Sequence, residues 1–136
     1  MKYLRITLLA FTALIILGSS ACGIFKKKVP AGAPEIIFGW GGGFTGMVDQ
    51  YSLLKDGTLK KGTEVLKKLD NKQLRTVMKL VDKVNFSKLK LNDPGNLYYF
   101  LTMKTGDTEQ KLQWNDQTAV PEEVKAAYDA LINLTK

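Results

Sequence analysis

The sequence predicts an α+β domain: a mostly antiparallel sheet of four or five strands with two helices on one face. Three observations carry that prediction. Short runs at "EIIFGW", "MVDQYSLL" and "LYYFLTMK" read as strands, alternating or rich in β-branched and aromatic residues, and turn signals bound them. Two longer stretches, residues 71–84 and 120–134, repeat their apolar positions at helical spacing. The resulting order, βββαββα, lacks the strand–helix–strand rhythm that a parallel sheet requires.

The elements follow in order. In "EIIFGW", Ile36, Phe38 and Trp40 fall on one side and Glu35, Ile37 and Gly39 on the other. "MVDQYSLL", residues 47–54, forms the second strand. The "KDG" at 55–57 is a hairpin signal, because Asp-Gly tolerates positive φ, and "TLKKG" supplies a short third strand. Asp70 can cap a helix whose buried stripe is Leu74, Val77, Met78, Val81 and Val84, with Leu69 as a staple. "NDPGN", residues 92–96, is a turn. "LYYFLTMK" then runs to a second turn at "TGDTE", and "QKLQWN" returns with Leu112 and Trp114 on one face. Pro121 suits a first helical turn, Glu122 and Glu123 favour the positive helix end, and Val124, Ala127, Tyr128, Leu131 and Leu134 make a buried stripe. Two helices cover one face of such a sheet, so the other face stays open, and aromatic residues are expected on it.

The N-terminus bears on the compartment. Lys2 and Arg5 precede an apolar run of twelve residues, 6–17, and then the small residues "GSSAC". This is the order of a secretory signal, and the run is too short for a membrane span of about twenty residues. The chain's one cysteine, Cys22, follows directly. The stretch resembles a bacterial lipoprotein signal, with Ser19 standing where such signals usually carry Leu, Val or Ile. We therefore expect residues 1–21 to be a lipoprotein signal peptide, and residues 22–34 an acylated N-terminus and flexible tether. Residues 35–136 then make one α+β domain. Acylation of Cys22 would explain an odd cysteine in an oxidising compartment and hold the chain to a lipid bilayer. Gly23, by analogy with that signal class, points to the outer membrane of a bacterial cell envelope, facing the periplasm.

Charge and chemistry narrow the function. Without Lys2 and Arg5, 18 basic residues face 13 acidic ones, and three of the 18 are Lys26, Lys27 and Lys28 in the tether. The remaining excess of about +2 on residues 35–136 gives no reason to expect nucleic acid. There is no histidine and no thiol besides Cys22. That excludes Ser-His-Asp and Cys-His sites and removes the commonest metal ligand. The carboxylates, among them Asp49, Asp56, Asp70 and Asp116, show no ligand spacing and suit caps and turns. We expect no catalytic residues, no cofactor and no metal.

"GGGFTG", residues 41–46, satisfies the pattern G-x-G-x-x-G. A phosphate-binding loop requires a helix after it, and here a strand follows. The segment therefore reads as a glycine-built bend between the first two strands, flanked by Trp40 and Phe44, which can offer apolar surface to a protein partner.

"GGFTG" also opens a series that continues with "LDNKQLRTVMKLVDKVNF", "GNLYYFLTMKTGDTEQKLQWND" and "PEEVKAAYDALINL". This order resembles the emfourin family, small protein inhibitors of thermolysin-like metalloproteases, from residue 42 to about 134. Two features depart from that family: "KDGTLKKGTEV" is an inserted hairpin, and the chain carries an anchor signal. The resemblance implies an inhibitor that binds a metalloprotease through its loops without turnover. Trp40, Gly42, Gly43, Phe44, Gly46, Lys55 and Leu59 are the candidate partner-binding residues. The alternative expectation is a structural or assembly lipoprotein of the envelope that binds another protein through its open sheet face or a sheet edge.

Overall fold

The structure is a computed structural model that describes residues 35–136. The expected signal peptide and tether, with Cys22, lie outside these residues. The domain is α+β, with strands β1 (Glu35–Gly42), β2 (Met47–Leu54), β3 (Thr58–Lys61) and β4 (Glu64–Lys68), helix α1 (Asn71–Val81), strands β5 (Leu97–Thr105) and β6 (Thr108–Asn115), and helix α2 (Glu122–Asn133). The strands form one sheet in the order β4-β3-β2-β1-β5-β6, with every neighbouring pair antiparallel. Six strands replace the expected four or five. The additional one is β4, whose five residues are all exposed, so it has no buried side to leave a pattern in the sequence.

The alternation in β1 sets the register of the whole sheet. Ile36 and Phe38 point under the helices and are fully buried, opposite Leu53 and Tyr51 of β2 and Met103 and Leu101 of β5. Leu112 extends that layer onto β6, and Leu59 onto β3. From above, Val77 and Val81 of α1 and Val124, Ala127 and Leu131 of α2 close the core. The hydrophobic effect favours this face because each fully buried aliphatic or aromatic side chain contributes about 1.5–3 kcal/mol.

Helix α1 begins where its cap chemistry dictates. The Asp70 carboxylate accepts from the backbone N–H of Lys72 and Gln73 at 2.8 Å each, and the Gln73 side chain reaches back to the Asp70 N–H. Such a capping box contributes about 1 kcal/mol. Leu69 N–H donates to Gly57 O at 2.9 Å, which holds the start of α1 beside the β2–β3 turn. That turn is tightened by Asp56, whose carboxylate accepts from Thr58 N–H at 3.0 Å. The same bond keeps the Asp56 carboxyl below its ordinary value.

The two sheet edges differ. Beside β6, Asn92 forms a parallel bridge with Gln113, Asp93 N–H donates to Gln113 O, and Gln113 N–H donates to Leu91 O. This segment covers that edge. The β4 edge has no such cover among the described residues.

Candidate functional site

The chain enters β1 at Glu35 and leaves it at Gly42, so the β1–β2 hairpin lies about 25 Å from the entry point at the usual rise per strand residue. The segments 43–46, 92–96 and 116–121 gather at this far end, because β1 and β6 run toward it and β2 and β5 run away from it.

Residues 43–46 make a tight turn closed by a Gly46 N–H bond to Gly43 O at 3.2 Å, which puts Phe44 at its corner. The glycines on either side are required. Gly42, Gly43 and Gly46 have φ of +95°, +72° and +63°, a region that residues with a Cβ rarely adopt. A Cβ on Gly42 would also sit 2.0 Å from Asn96 O. Gly43 N–H donates to that same carbonyl at 2.6 Å, tying the hairpin to the loop before β5. Phe44 consequently projects fully into solvent. Met47 is 70% exposed, Val48 51% and Leu97 38%. Met47, Gly42 and Leu97 stand side by side across three strands, so exposed apolar residues gather at the end that carries Phe44.

One step toward the core, Asp49, Trp40, Tyr99 and Trp114 occupy adjacent register positions across β2, β1, β5 and β6. Trp40 is half-buried and its ring lies 5.8 Å from that of Tyr51. Tyr99 and Trp114 meet Tyr128 of α2 edge-on, at 5.9 and 5.0 Å between ring centres. These three rings, with Asp116, Lys125 and Asp129, line a cleft of about 440 Å³. Tyr99 O–H donates to Asp116 at 2.7 Å, and this bond holds its phenol above the ordinary value. Asn115 and Thr118 anchor the rim: Thr118 O–H donates to Asp93, and Asn115 N–H donates to Thr118.

Tyr128 is different. Its O–H is buried and donates to Gly39 O at 2.9 Å. Burial pushes its phenol well above the ordinary value. In the unfolded chain a tyrosine ionises near pH 10. The folded state keeps the proton, so this contribution to stability is complete below about pH 10 and is lost as pH rises above it. Tyr128→Phe should therefore lower stability by about 1–3 kcal/mol at neutral pH by leaving the Gly39 carbonyl unpaired. The deficit relative to wild type should shrink in alkaline solution. Urea melts of both proteins across that pH range measure it.

The structure gathers Trp40, Gly42, Gly43, Phe44 and Gly46 at the far end and places the other two candidates elsewhere. Lys55 lies in the β2–β3 turn, at the end where the chain enters. Leu59 is fully buried opposite Leu53, so it belongs to the core and has no surface to offer a partner. Met47, Val48 and Leu97 were not singled out by sequence reasoning. A signal existed in their adjacency to the glycine bend, since strand residues next to a turn that lies beyond the helices have nothing to cover them. Among the described residues no group of three or more His, Cys, Asp or Glu is placed to hold a metal ion. A comparison with known proteins finds no family model and no curated protein that matches the chain.

Proposed function

We propose that this chain is a non-catalytic, lipid-anchored protein-binding module of a bacterial cell envelope. In this reading Cys22 is acylated in the outer membrane and the domain faces the periplasm. The partner is a thermolysin-like metalloprotease, which the domain inhibits by occupying it. One observation carries the reading: Phe44, a large apolar side chain, is held fully exposed at the corner of a glycine-built turn. Exposure of such a ring gains no stability, whereas a rigid turn presents it to a partner at low entropic cost. Met47, Val48 and Leu97 add further exposed apolar surface at the same end of the sheet, which suits a buried anchor within a protein interface. The "GGFTG" resemblance supplies the class of partner.

The test is inhibition of peptide hydrolysis by a thermolysin-like protease on addition of the mature chain. Stoichiometric loss of activity is expected. Phe44→Ala should weaken inhibition by about 30-fold or more, the loss of an interface anchor worth about 2 kcal/mol. Undiminished hydrolysis at excess chain would remove that protease as the partner.

A further inference from the structure

The cleft beside α2 combines an aromatic floor with a charged rim. Tyr99, Trp114 and Tyr128 line it, together with Asp116, Lys125 and Asp129. Trp114 and Tyr128 are almost covered, at 6% and 8% exposure, so they form its base, while Tyr99 keeps more of its surface. Its volume of about 440 Å³ exceeds that of the hollows between the 95–97 and 115–117 segments and on the open sheet face, about 330 and 220 Å³.

The charge around this cleft is mostly of one sign. Residues 116–133, the loop after β6 and helix α2, carry four Asp and Glu against one Lys. Asp116 comes from the loop and Asp129 from the helix, so two separate elements place carboxylates in one space. Neither stands in an ion pair among the described residues. The Asp116 carboxylate is also held in place. Tyr99 O–H donates to one of its oxygens at 2.7 Å, and the other oxygen keeps its lone pairs for a further donor. Asp116 lines the hollow between the 95–97 and 115–117 segments as well, so this carboxylate is open from two sides.

We propose that this cleft binds the guanidinium group of an arginine carried by a protein partner, with Asp116 as its main acceptor. A guanidinium is flat and delocalised, so it lies against aromatic surface. Its fork of N–H donors matches a carboxylate, and its weak hydration eases entry into a half-enclosed space. An ammonium is a more strongly hydrated point charge without a plane. The ring floor keeps water from one side of the site, which strengthens the attraction between the cation and both carboxylates. Lys125 lines the same cleft and opposes the incoming charge. The segments 92–96 and 116–121 gather at the hairpin end, so a single partner can reach both the cleft and Phe44. The site does not depend on the hairpin's partner being a protease, because no hairpin residue lines it.

The experiment uses the chain from residue 22 with Cys22→Ser, so that no acyl group can attach. It is titrated with acetyl-glycyl-arginyl-glycine amide while NMR follows the indole N–H signals. Trp114 lines the cleft and Trp40 does not, so the Trp114 signal should move and the Trp40 signal should stay. Citrulline in place of arginine, neutral and of nearly the same shape, should abolish the movement, and lysine should weaken binding. Added salt should weaken it too. Asp116→Asn should weaken arginine binding about fivefold, the contribution of one ion pair at a partly exposed site. Lys125→Gln should strengthen it by about twofold or more, by removing the opposing cation. A gain of binding does not arise from damage to the fold, so this variant separates the electrostatic account from a structural one. Asp107→Asn, in the β5–β6 turn at the other end of the sheet, should change binding by less than about twofold. Circular dichroism checks that the variants stay folded. A still Trp114 signal at about 20 mM peptide, equal binding of the citrulline peptide, or an unaffected Asp116→Asn protein would each overturn the proposal. Tighter binding of free methylguanidine than of the peptide would overturn the protein source and assign the cleft to a small guanidino compound.

Discussion

Gly39→Ala will unfold the domain or leave it only marginally stable, and truncating the neighbouring ring will not restore it. A Cβ at this position would lie 1.9 Å from the Asp49 carbonyl oxygen and 3.1 Å from the Phe100 ring. The closest atom is backbone, held in register between β1 and β2, so it cannot swing aside. Gly39 also has φ near +157°, and its carbonyl accepts the Tyr128 hydroxyl. Any backbone shift that relieves the clash would strain this buried bond. The combined cost should be at least about 3 kcal/mol, against a total stability of about 5–15 kcal/mol for a domain of this kind. Gly41 makes an informative comparison. A Cβ there would meet the Tyr98 hydroxyl at 2.7 Å and its Cζ at 2.8 Å, but these belong to a side chain on the open face, which can move. Gly41→Ala should cost less, and Tyr98→Ala should relieve much of that cost. Phe100→Ala should leave the Gly39→Ala defect in place. Denaturant melts of the four single and two double variants separate the cases. A Gly39→Ala protein as stable as wild type would mean that the Asp49 carbonyl is free to withdraw.

These glycines also show where sequence reasoning stopped. Alternation in β1 was legible because Ile36 and Phe38 face the core, and the stripes of α1 and α2 were legible for the same reason. The purpose of Gly39 and Gly41 was not. They lie on the opposite face, where Phe100 and Tyr98 lean over the space that side chains would fill, so that Phe100 is buried despite facing away from the helices. Lys111 lies over the Phe100 ring at 5.5 Å and completes that cover. This relation depends on the β1–β5 register, which no local pattern encodes. Strand β4 escaped because an exposed edge strand needs no alternation, and Val65 and Leu66 are adjacent. Leu59 was misplaced because a four-residue strand after a turn is too short to show which residue points inward. The Tyr99–Trp114–Tyr128 cleft draws one ring from each of three elements. Each aromatic could be assigned to its strand or helix, but their meeting required the sheet order.

The two phenylalanines that bracket the glycine run should respond in opposite ways to the same substitution. Phe38 is fully buried, and its ring stacks on Tyr51 at 5.7 Å. Phe38→Ala removes that ring from the centre of the helix-covered face and leaves a cavity between β1, β2 and the helices. The expected loss is about 3–5 kcal/mol, which lowers the melting temperature by more than about 12 °C in a domain of this size. Phe44, six residues later, sits at a turn corner with its ring in water. Phe44→Ala removes no packing from the folded state, so its stability should stay within about 0.5 kcal/mol of wild type. Thermal melts of both variants measure the contrast directly. A large loss for Phe44→Ala would mean that the ring folds back onto the domain, and the hairpin would then lose its contact surface. A stable Phe44→Ala protein makes the inhibition assay interpretable, because any loss of binding can then be assigned to the missing ring and not to unfolding.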